Sequence, residues 1–302
     1  MNTPALAFRP PSALKRLPRG SRACPLSLRD LVGALVTEES PLTLVLAPST
    51  PVARAALVAA KEAASALGLE LPAGEGPERW FGAVTSAADE LAPGLPLFLA
   101  AEVVLLPEGD LEAVRARRLV HRLVDAGLTH LVLDLDRLAP EARADELARA
   151  AEPALERGLG VECLLPAGPD GLPEADEVFS LLAELASLGA TPDLAGVRCP
   201  APDGEGDAEL QAARLRELAG AAPGVALCRR GPGGGAVARR VGGGVVRAWG
   251  DGGAVAAAAA GTGGADGAEG RAYAAAADLL DALGAGGSAV VLSAALARAR
   301  EA

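Results

Sequence analysis

One pattern recurs along this chain and limits what it can fold into. A short apolar run of β-type composition is followed by a stretch of Ala, Leu and charged residues with helical spacing. A glycine then ends the unit and another apolar run begins. The residue just after a helix often adopts a left-handed backbone conformation, which favours glycine. The glycines at such positions are Gly68, Gly127, Gly158, Gly189 and Gly220. The pattern predicts strands that alternate with helices.

About eight apolar runs have strand character, at spacings of roughly 20–35 residues, as expected of a (β/α)8 TIM barrel. They are Leu42–Leu46, Leu69–Leu71, Leu95–Leu99, His130–Asp134, Gly160–Leu165, Leu194–Arg198, Val225–Arg229 and Val245–Trp249. An open, doubly wound sheet shares the alternation, but it usually has fewer strands and a Gly-rich turn after the first one. The first run here is followed by Ala-Pro-Ser-Thr, so the barrel is the predicted fold.

The ends of the chain set the predicted domain organisation. Residues 1–22 are rich in Pro and Arg, contain no acidic residue and lack the apolar run of a secretory signal. We expect a disordered basic arm there, followed by a single TIM-barrel domain over residues 23–302. Ser27 should begin an amphipathic helix, through about Glu39, that covers the bottom of the barrel.

The last third of the chain has an unusual composition. Residues 231–270 are strongly biased to Gly and Ala, which predicts a loop-rich part of the barrel with mobile portions. From Gly270 onward, two Ala-rich helices are expected, with a break at residues 284–287.

Composition excludes several classes of function. Half of the 302 residues are apolar but only 2% are aromatic, so the core must be built from Leu, Val and Ala. Scarce aromatics and a net charge of −11 argue against a nucleic-acid partner. No apolar stretch is long enough for a transmembrane helix. The four cysteines are far apart without a Cys-x-x-Cys pair, which indicates buried thiols in a reducing cytoplasm.

Several motifs carry a resemblance to a known family. Residues 123–134 read Leu-Val-Asp-Ala-Gly-Leu-Thr-His-Leu-Val-Leu-Asp, and residues 157–162 read Arg-Gly-Leu-Gly-Val-Glu. They resemble the class II fructose- and tagatose-bisphosphate aldolases, where a helix ends in Ala-Gly-Phe-Thr, strand four carries an Asp and strand five reads Val-Glu-Ala-Glu-Leu-Gly. Residues 95–103, 227–233 and 244–249 resemble that family's motifs on strands three, seven and eight. The resemblance runs from about Ser27 to the tail.

The chain departs from that family at the metal site. Three His and a carboxylate hold a divalent metal there, usually zinc, and the resemblance implies the same cofactor. The corresponding positions hold Ala100, Val103, Leu164 and Arg229, and residues 199–203 supply no His. His121 and His130 fall elsewhere, in the third barrel helix and at the bottom of strand four. We therefore predict no zinc site, while an all-oxygen Mg²⁺ site stays open.

Three carboxylates are retained at strand ends where barrels carry active sites. By resemblance, Glu102 replaces the family's general acid/base, and Asp134 and Glu162 match family carboxylates. Because neighbouring strands lie about 4.8 Å apart, these side chains could meet above the barrel. They could transfer protons or bind a hard cation. Alternatively, they are inherited rim residues, solvated or paired with Arg229 and Arg230.

A phosphate site is predicted after strands seven and eight, where many barrels bind that group. The predicted ligands are the backbone N–H groups of Gly231, Gly233 and Gly234 and the side chains of Arg229 and Arg230. Trp249 replaces the family's strand-eight Asn, and Gly252 its nearby Thr, so the match is incomplete.

Two classes of function stay open. The leading hypothesis is a degenerate, non-catalytic relative of the class II aldolases. It would act as a structural subunit, beside a catalytic aldolase subunit or in a homo-oligomer, or as a sugar-phosphate-binding protein. The competing hypothesis is an active lyase or isomerase on a phosphorylated sugar, using the rim carboxylates with or without Mg²⁺. Both imply a cytoplasmic protein of carbohydrate metabolism.

Overall fold

A computed structural model describes residues 4–35, 40–107, 111–168, 171–242, 244–261 and 264–301. Within these residues, eight parallel strands form a closed ring, which confirms the predicted (β/α)8 TIM barrel. The strands are β1 Leu42–Leu46, β2 Leu67–Glu70, β3 Pro96–Val104, β4 His130–Asp134, β5 Gly160–Leu164, β6 Leu194–Arg198, β7 Ala226–Arg230 and β8 Val246–Gly250. The ring closes between β8 and β1, where Leu42 lies opposite Ala248.

Helices surround this ring. They are α1 Pro11–Leu14, α2 Leu28–Ala34, α3 Thr50–Glu62, α4 Pro77–Leu91, α5 Leu111–Ala126, α6 Arg143–Leu155, α7 Ala175–Ser187, α8 Glu205–Ala221, α9 Gly234–Val241, α10 Ala254–Ala260, α11 Gly264–Ala282 and α12 Ser288–Glu301. Short 3-10 helices occupy Pro4–Phe8 and Pro140–Ala142, and a two-residue strand, Cys24–Pro25, pairs with β3 outside the ring. No helix in the described part of the chain is long and apolar enough to cross a membrane.

The strand predictions agree with the structure to within one or two residues at most ends. The main difference is β3, which was expected to end at Leu99 and continues to Val104. It does so because residues 100–104 pair in register with the whole of β4.

Glycines end several helices as predicted. Gly127, Gly158 and Gly189 follow α5, α6 and α7 with φ of 101°, 65° and 70°, a conformation that costs other residues free energy. Gly220 does not end its helix: α8 continues to Ala221, and Gly224, with φ of 80°, makes the turn.

Helix α2 closes the bottom of the barrel, the end where the strands begin. It starts after Ser27 as predicted, and its Leu28 and Leu31 are buried in an apolar cluster with Leu42 of β1. Gly160 at the start of β5 permits this close approach, because a Cβ there would lie 2.6 Å from that of Leu28. The expected helix extends over residues 36–39, which lie outside the described residues.

The N-terminal segment differs from the expected disordered arm over residues 4–22. From Pro4 onward it forms the first 3-10 helix and α1, with Ala5 and Ala13 fully buried. Arg9 folds the segment on itself by donating hydrogen bonds to the carbonyl oxygens of Leu6, Ser21 and Ala23. Tertiary contacts of this kind override a Pro- and Arg-rich composition.

The Gly/Ala-rich segment, residues 231–270, is not the loop-rich region that was predicted. It contains α9, β8, α10 and the start of α11, because Ala favours helix while Gly233 and Gly253, both with positive φ, supply the turns before α9 and α10. Residues 243, 262 and 263 lie outside the described residues. The two tail helices are confirmed as α11 and α12, separated at residues 283–287.

Phe98 is the largest apolar side chain packed in the lower interior of the barrel. Its ring lies over Gly68 in β2, and a Cβ added at Gly68 would stand 2.2 Å from the ring and 2.8 Å from Leu44. Gly68 was expected to cap a helix, but its role is to leave space for this aromatic side chain.

Replacing Gly68 by Ala should therefore lower the free energy of unfolding by about 1–3 kcal/mol, because Phe98 must move. Gly82→Ala is the matched control. Gly82 lies inside α4 with no atom within 4 Å of an added Cβ, so this variant should gain up to about 1 kcal/mol. Urea unfolding followed by circular dichroism measures both, and equal stabilities would contradict this packing.

Candidate site at the mouth of the barrel

Charged side chains gather at the mouth of the barrel, the end where the strands finish. Alternate residues of a strand face the barrel interior, and each of six neighbouring strands carries a charged residue at an inward position in its second half or at its middle. These residues are Glu70 of β2, Glu102 of β3, Asp134 of β4, Glu162 of β5, Arg198 of β6 and Arg230 of β7. Active sites of this fold lie at this end.

An inner network is centred on Glu162. Its carboxylate accepts two hydrogen bonds from Arg230, at 2.6 Å from Nε and 2.9 Å from Nη2. Arg230 Nη1 also donates to Glu70 at 3.1 Å. His130 Nε2 lies 3.0 Å from Glu162 Oε2, and both side chains are fully buried. Since an ionised carboxylate only accepts, this nitrogen carries the proton.

Arg230 keeps Glu162 ionised. Burial alone would raise the pKa of this carboxyl, but the charge of Arg230 and hydrogen bonds from Arg230 and His130 outweigh burial and hold the pKa well below its usual range. A general acid or base needs a pKa near the operating pH. Glu162 is therefore suited to holding Arg230 in place and unsuited to proton transfer.

Glu162 reaches Arg230 across an intervening strand. Glu162 is on β5 and Arg230 on β7, with Gly196 of β6 between them. A Cβ at Gly196 would lie 2.2 Å from Glu162 Oε1. Because Gly196 has no side chain, the Glu162 carboxylate can extend over β6 to Arg230.

An outer network is centred on Arg198. Its Nη2 donates to Glu102 at 2.8 Å and to Asp134 at 2.9 Å, and its Nη1 donates to Asp136 at 2.7 Å. Of the three predicted carboxylates, Glu102 and Asp134 thus meet through a shared guanidinium group. Glu162 belongs to the separate, inner network.

Glu102 is the half-exposed member of the predicted set. Burial raises the pKa of its carboxyl; Arg198 lowers it less, and the neighbouring charges of Glu70 and Asp134 add to the increase. Glu102 therefore gains or loses its proton at a pH nearer to neutrality than an ordinary Glu does. This property is useful in a general acid or base.

A cavity of about 320 Å³ opens between the two networks. Glu70, Glu102, Arg198 and Arg230 line one side of it, and the segments 231–232 and 250–253, which follow β7 and β8, line the other. This volume suits a small metabolite.

Arg229, a predicted phosphate ligand, faces away from this cavity. It is fully buried outside the ring and donates to the carbonyl oxygens of Gly231 at 2.8 Å, Pro232 at 2.9 Å and Pro200 at 3.2 Å, and to Gln211 Oε1 at 3.2 Å. Because side chains alternate along β7, Arg230 points inward and Arg229 outward. Arg229 fixes the loops after β6 and β7.

Part of the predicted phosphate loop is already engaged. The N–H of Gly231 donates to the carbonyl of Gly250 at 3.2 Å. At the start of α10, the carboxylate of Asp251 accepts the N–H groups of Gly253 and Val255, each at 3.0 Å. Gly233 and Gly234 open α9. Phosphate binding by Gly233, Gly234 and Arg230 stays a prediction.

The donor set does not fit a transition metal. Among the described residues, no group of three or more His, Cys, Asp or Glu side chains is arranged to hold a metal ion. His130 is committed to Glu162, His121 is exposed on α5, and the four cysteines are buried thiols. Guanidinium groups lie between the mouth carboxylates instead.

Sequence reasoning missed Glu70 and Arg198. Both stand at strand ends, but the second strand was predicted to run to Leu71, which hides the last inward position at Glu70. Arg198 ended the sixth predicted strand as Asp134 ended the fourth. This shared position at the end of a strand was the feature of the sequence that could have identified Arg198 as a site residue.

No family model and no curated protein matches this sequence. Solved structures do. The YdjI aldolase from Escherichia coli K12 has a TM-score of 0.64 at 12% identity, over 87% of this chain and 98% of that one. A candidate fructose-1,6-biphosphate aldolase from Coccidioides immitis has a TM-score of 0.63 at 16% identity, over 90% and 99%. Likeness at these identities establishes a shared fold.

Removing either arginine tests the two networks. Arg230→Met should lower the free energy of unfolding by about 3–5 kcal/mol, because Glu162 stays buried without a cation. Arg198→Met is the matched control and should cost about 1 kcal/mol, since the Arg198 side chain is 38% exposed. Chemical unfolding at pH 7 measures the difference. Similar losses of free energy in the two variants would contradict the conclusion that the inner network stabilises the fold more than the outer network.

The lowered pKa of Glu162 predicts a pH dependence of stability. Above the unfolded-state pKa of about 4.3, Glu162 is ionised in both states and the pair stabilises the fold. Below it, the unfolded chain binds a proton that the folded chain does not, so stability is lost as pH falls.

Glu162→Gln should therefore lose less free energy of unfolding than the wild type between about pH 6 and pH 3. The opposite contribution of Glu102, whose pKa is raised, is present in both proteins and cancels in the comparison. Parallel pH curves for the two proteins would show that Glu162 does not titrate as proposed.

Proposed function

We propose that this chain is a barrel of the class II aldolase type that no longer performs metal-dependent aldol cleavage and serves as a non-catalytic structural subunit. One observation carries the proposal: guanidinium groups, rather than a metal with histidine ligands, neutralise the carboxylates at the mouth. The fold likeness to two aldolase structures supports the family relationship.

Arg230 is the main obstacle to a metal at this site. It is nearly buried and makes two hydrogen bonds to Glu162, and moving it would leave a buried carboxylate without a partner, at a cost of about 3–5 kcal/mol. Zinc also needs nitrogen or sulfur donors in a tight shell. A Lewis acid would supply the charge stabilisation that aldol cleavage requires, and these residues offer no substitute with an open position.

A structural role is consistent with what the chain retains. The closed ring and its buried core of Leu, Val and Ala are intact. Such a barrel can pair with a catalytic aldolase subunit or with a second copy of itself. A cytoplasmic setting is part of the proposal, and the four buried free thiols support it.

A second candidate is an enzyme that acts on a phosphorylated sugar without a transition metal. The observation in its favour is Glu102, a carboxyl of raised pKa at the edge of the mouth cavity. It could transfer a proton to or from a substrate there.

Metal analysis and an aldolase assay test the first candidate. After incubation with Zn²⁺ and dialysis, the purified protein should retain far less than one Zn²⁺ per chain by mass spectrometry. It should not cleave fructose or tagatose 1,6-bisphosphate above the blank, with or without added Zn²⁺ or Mg²⁺.

A chelator and a variant distinguish the two candidate functions if the assay detects activity. Cleavage that a chelator abolishes would overturn the proposal. Turnover that resists chelators and is lost in Glu102→Gln would favour the second candidate instead. Glu217→Gln, an exposed change on α8, should leave any activity unaltered and is the control for handling losses.

A further inference from the structure

A second cavity, of about 540 Å³, opens beside the mouth cavity. It lies between the segment that follows β2 and helix α5. The two cavities share Leu46, Glu70 and Glu102 in their linings, so they are adjacent at these side chains.

The second cavity has an excess of negative charge. Among the described residues, Glu70, Glu75 and Glu102 line it, together with one cation, Arg122. Arg122 is bound by both oxygens of Glu78 on α4, at 3.0 and 2.9 Å, so its charge is already compensated.

The arginines of the inner and outer networks do not offset the negative charge of the second cavity. Among the described residues, two guanidinium groups, of Arg198 and Arg230, pair with five carboxylates, those of Glu70, Glu102, Asp134, Asp136 and Glu162. Glu70 receives one nitrogen of Arg230 at 3.1–3.3 Å, and Glu102 one nitrogen of Arg198 at 2.8 Å. Both carboxylates therefore have lone pairs left for a further donor.

Apolar side chains form the rest of the second cavity. They are Leu71, Pro72, Ala101, Val104, Leu119 and Leu123. Val104 and Leu119 are 40% and 37% exposed, which leaves hydrocarbon uncovered next to the acidic groups. Small-molecule sites combine such an apolar wall with a few polar groups that orient the ligand.

We propose that the second cavity binds an organic amine, with its ammonium group between Glu70 and Glu102 and its hydrocarbon part against Val104 and Leu119. This inference goes beyond the structural role proposed above and does not depend on it. A primary ammonium carries three donors, enough to reach both carboxylates without the tight ligand shell that a metal ion needs.

The same charges disfavour anions. A phosphate or carboxylate ligand would meet the excess of acidic groups, and Asp251 already occupies the N–H groups at the start of α10. An amine is therefore favoured over a sugar phosphate as the ligand at this end of the barrel.

Titration calorimetry with hexylamine at pH 7.5 tests the proposal, with hexanoate and inorganic phosphate as probes of opposite charge. Hexylamine should bind to one site per chain, and binding should weaken by up to about fourfold for each CH₂ removed in the series from hexylamine to butylamine. Hexanoate and phosphate should bind at least about tenfold more weakly. Tighter binding of either anion would overturn the proposal.

Two variants locate the amine. Glu102→Gln should weaken hexylamine at least about tenfold. Leu119→Ser should weaken hexylamine but leave methylamine unchanged, and it keeps the test decisive should Glu102→Gln not fold. Glu217→Gln on α8 is the control and should bind like the wild type. Equal hexylamine affinity in Glu102→Gln, or in Leu119→Ser, would rule out this site.

Discussion

Guanidinium groups inside the mouth of the barrel decide which other charges the mouth can hold. A buried carboxylate without a counter-charge is too costly to keep ionised, and Arg230 removes that cost for Glu162 while it also reaches Glu70. Arg198 does the same, closer to water, for Glu102 and Asp134. The cavity between the two networks, and the negative charge that remains around it, follow from where these two arginines lie.

Much of the fold could be predicted because a barrel repeats one unit. The alternation of apolar runs and helical segments specified strand order, and a core of Leu, Val and Ala followed from the scarcity of aromatics. The orientation of side chains was harder, since a shift of one residue turns a strand's side chains to the opposite face. The seventh strand was predicted to end at Arg229, but it ends at Arg230. That one residue separates a side chain at the mouth from one buried outside the ring.

The site was less predictable because its pairings cross strands that are distant in sequence. A direct meeting of Glu102, Asp134 and Glu162 was one of two alternatives, and Glu102 and Asp134 meet only through Arg198. Glu162 instead passes over Gly196 to Arg230 of β7, which agrees with the other alternative, pairing with an arginine. No local pattern signals that a glycine on the intervening strand opens this path. The same limit applies to Arg9, whose contacts order a segment that composition alone describes as disordered.

Under the proposed function, the arginines explain how a barrel can keep its shape while its chemistry changes. A guanidinium group is permanently charged and binds carboxylates through a fixed fork of donors, so it can balance acidic residues at a barrel mouth. It has no open coordination position, and it cannot polarise a substrate oxygen or acidify a bound water as a metal does. Replacing a metal by tethered arginines therefore preserves the electrostatic balance and removes the Lewis acid. The carboxylates that the arginines leave only partly satisfied, Glu70 and Glu102, are then free to recognise a positively charged ligand.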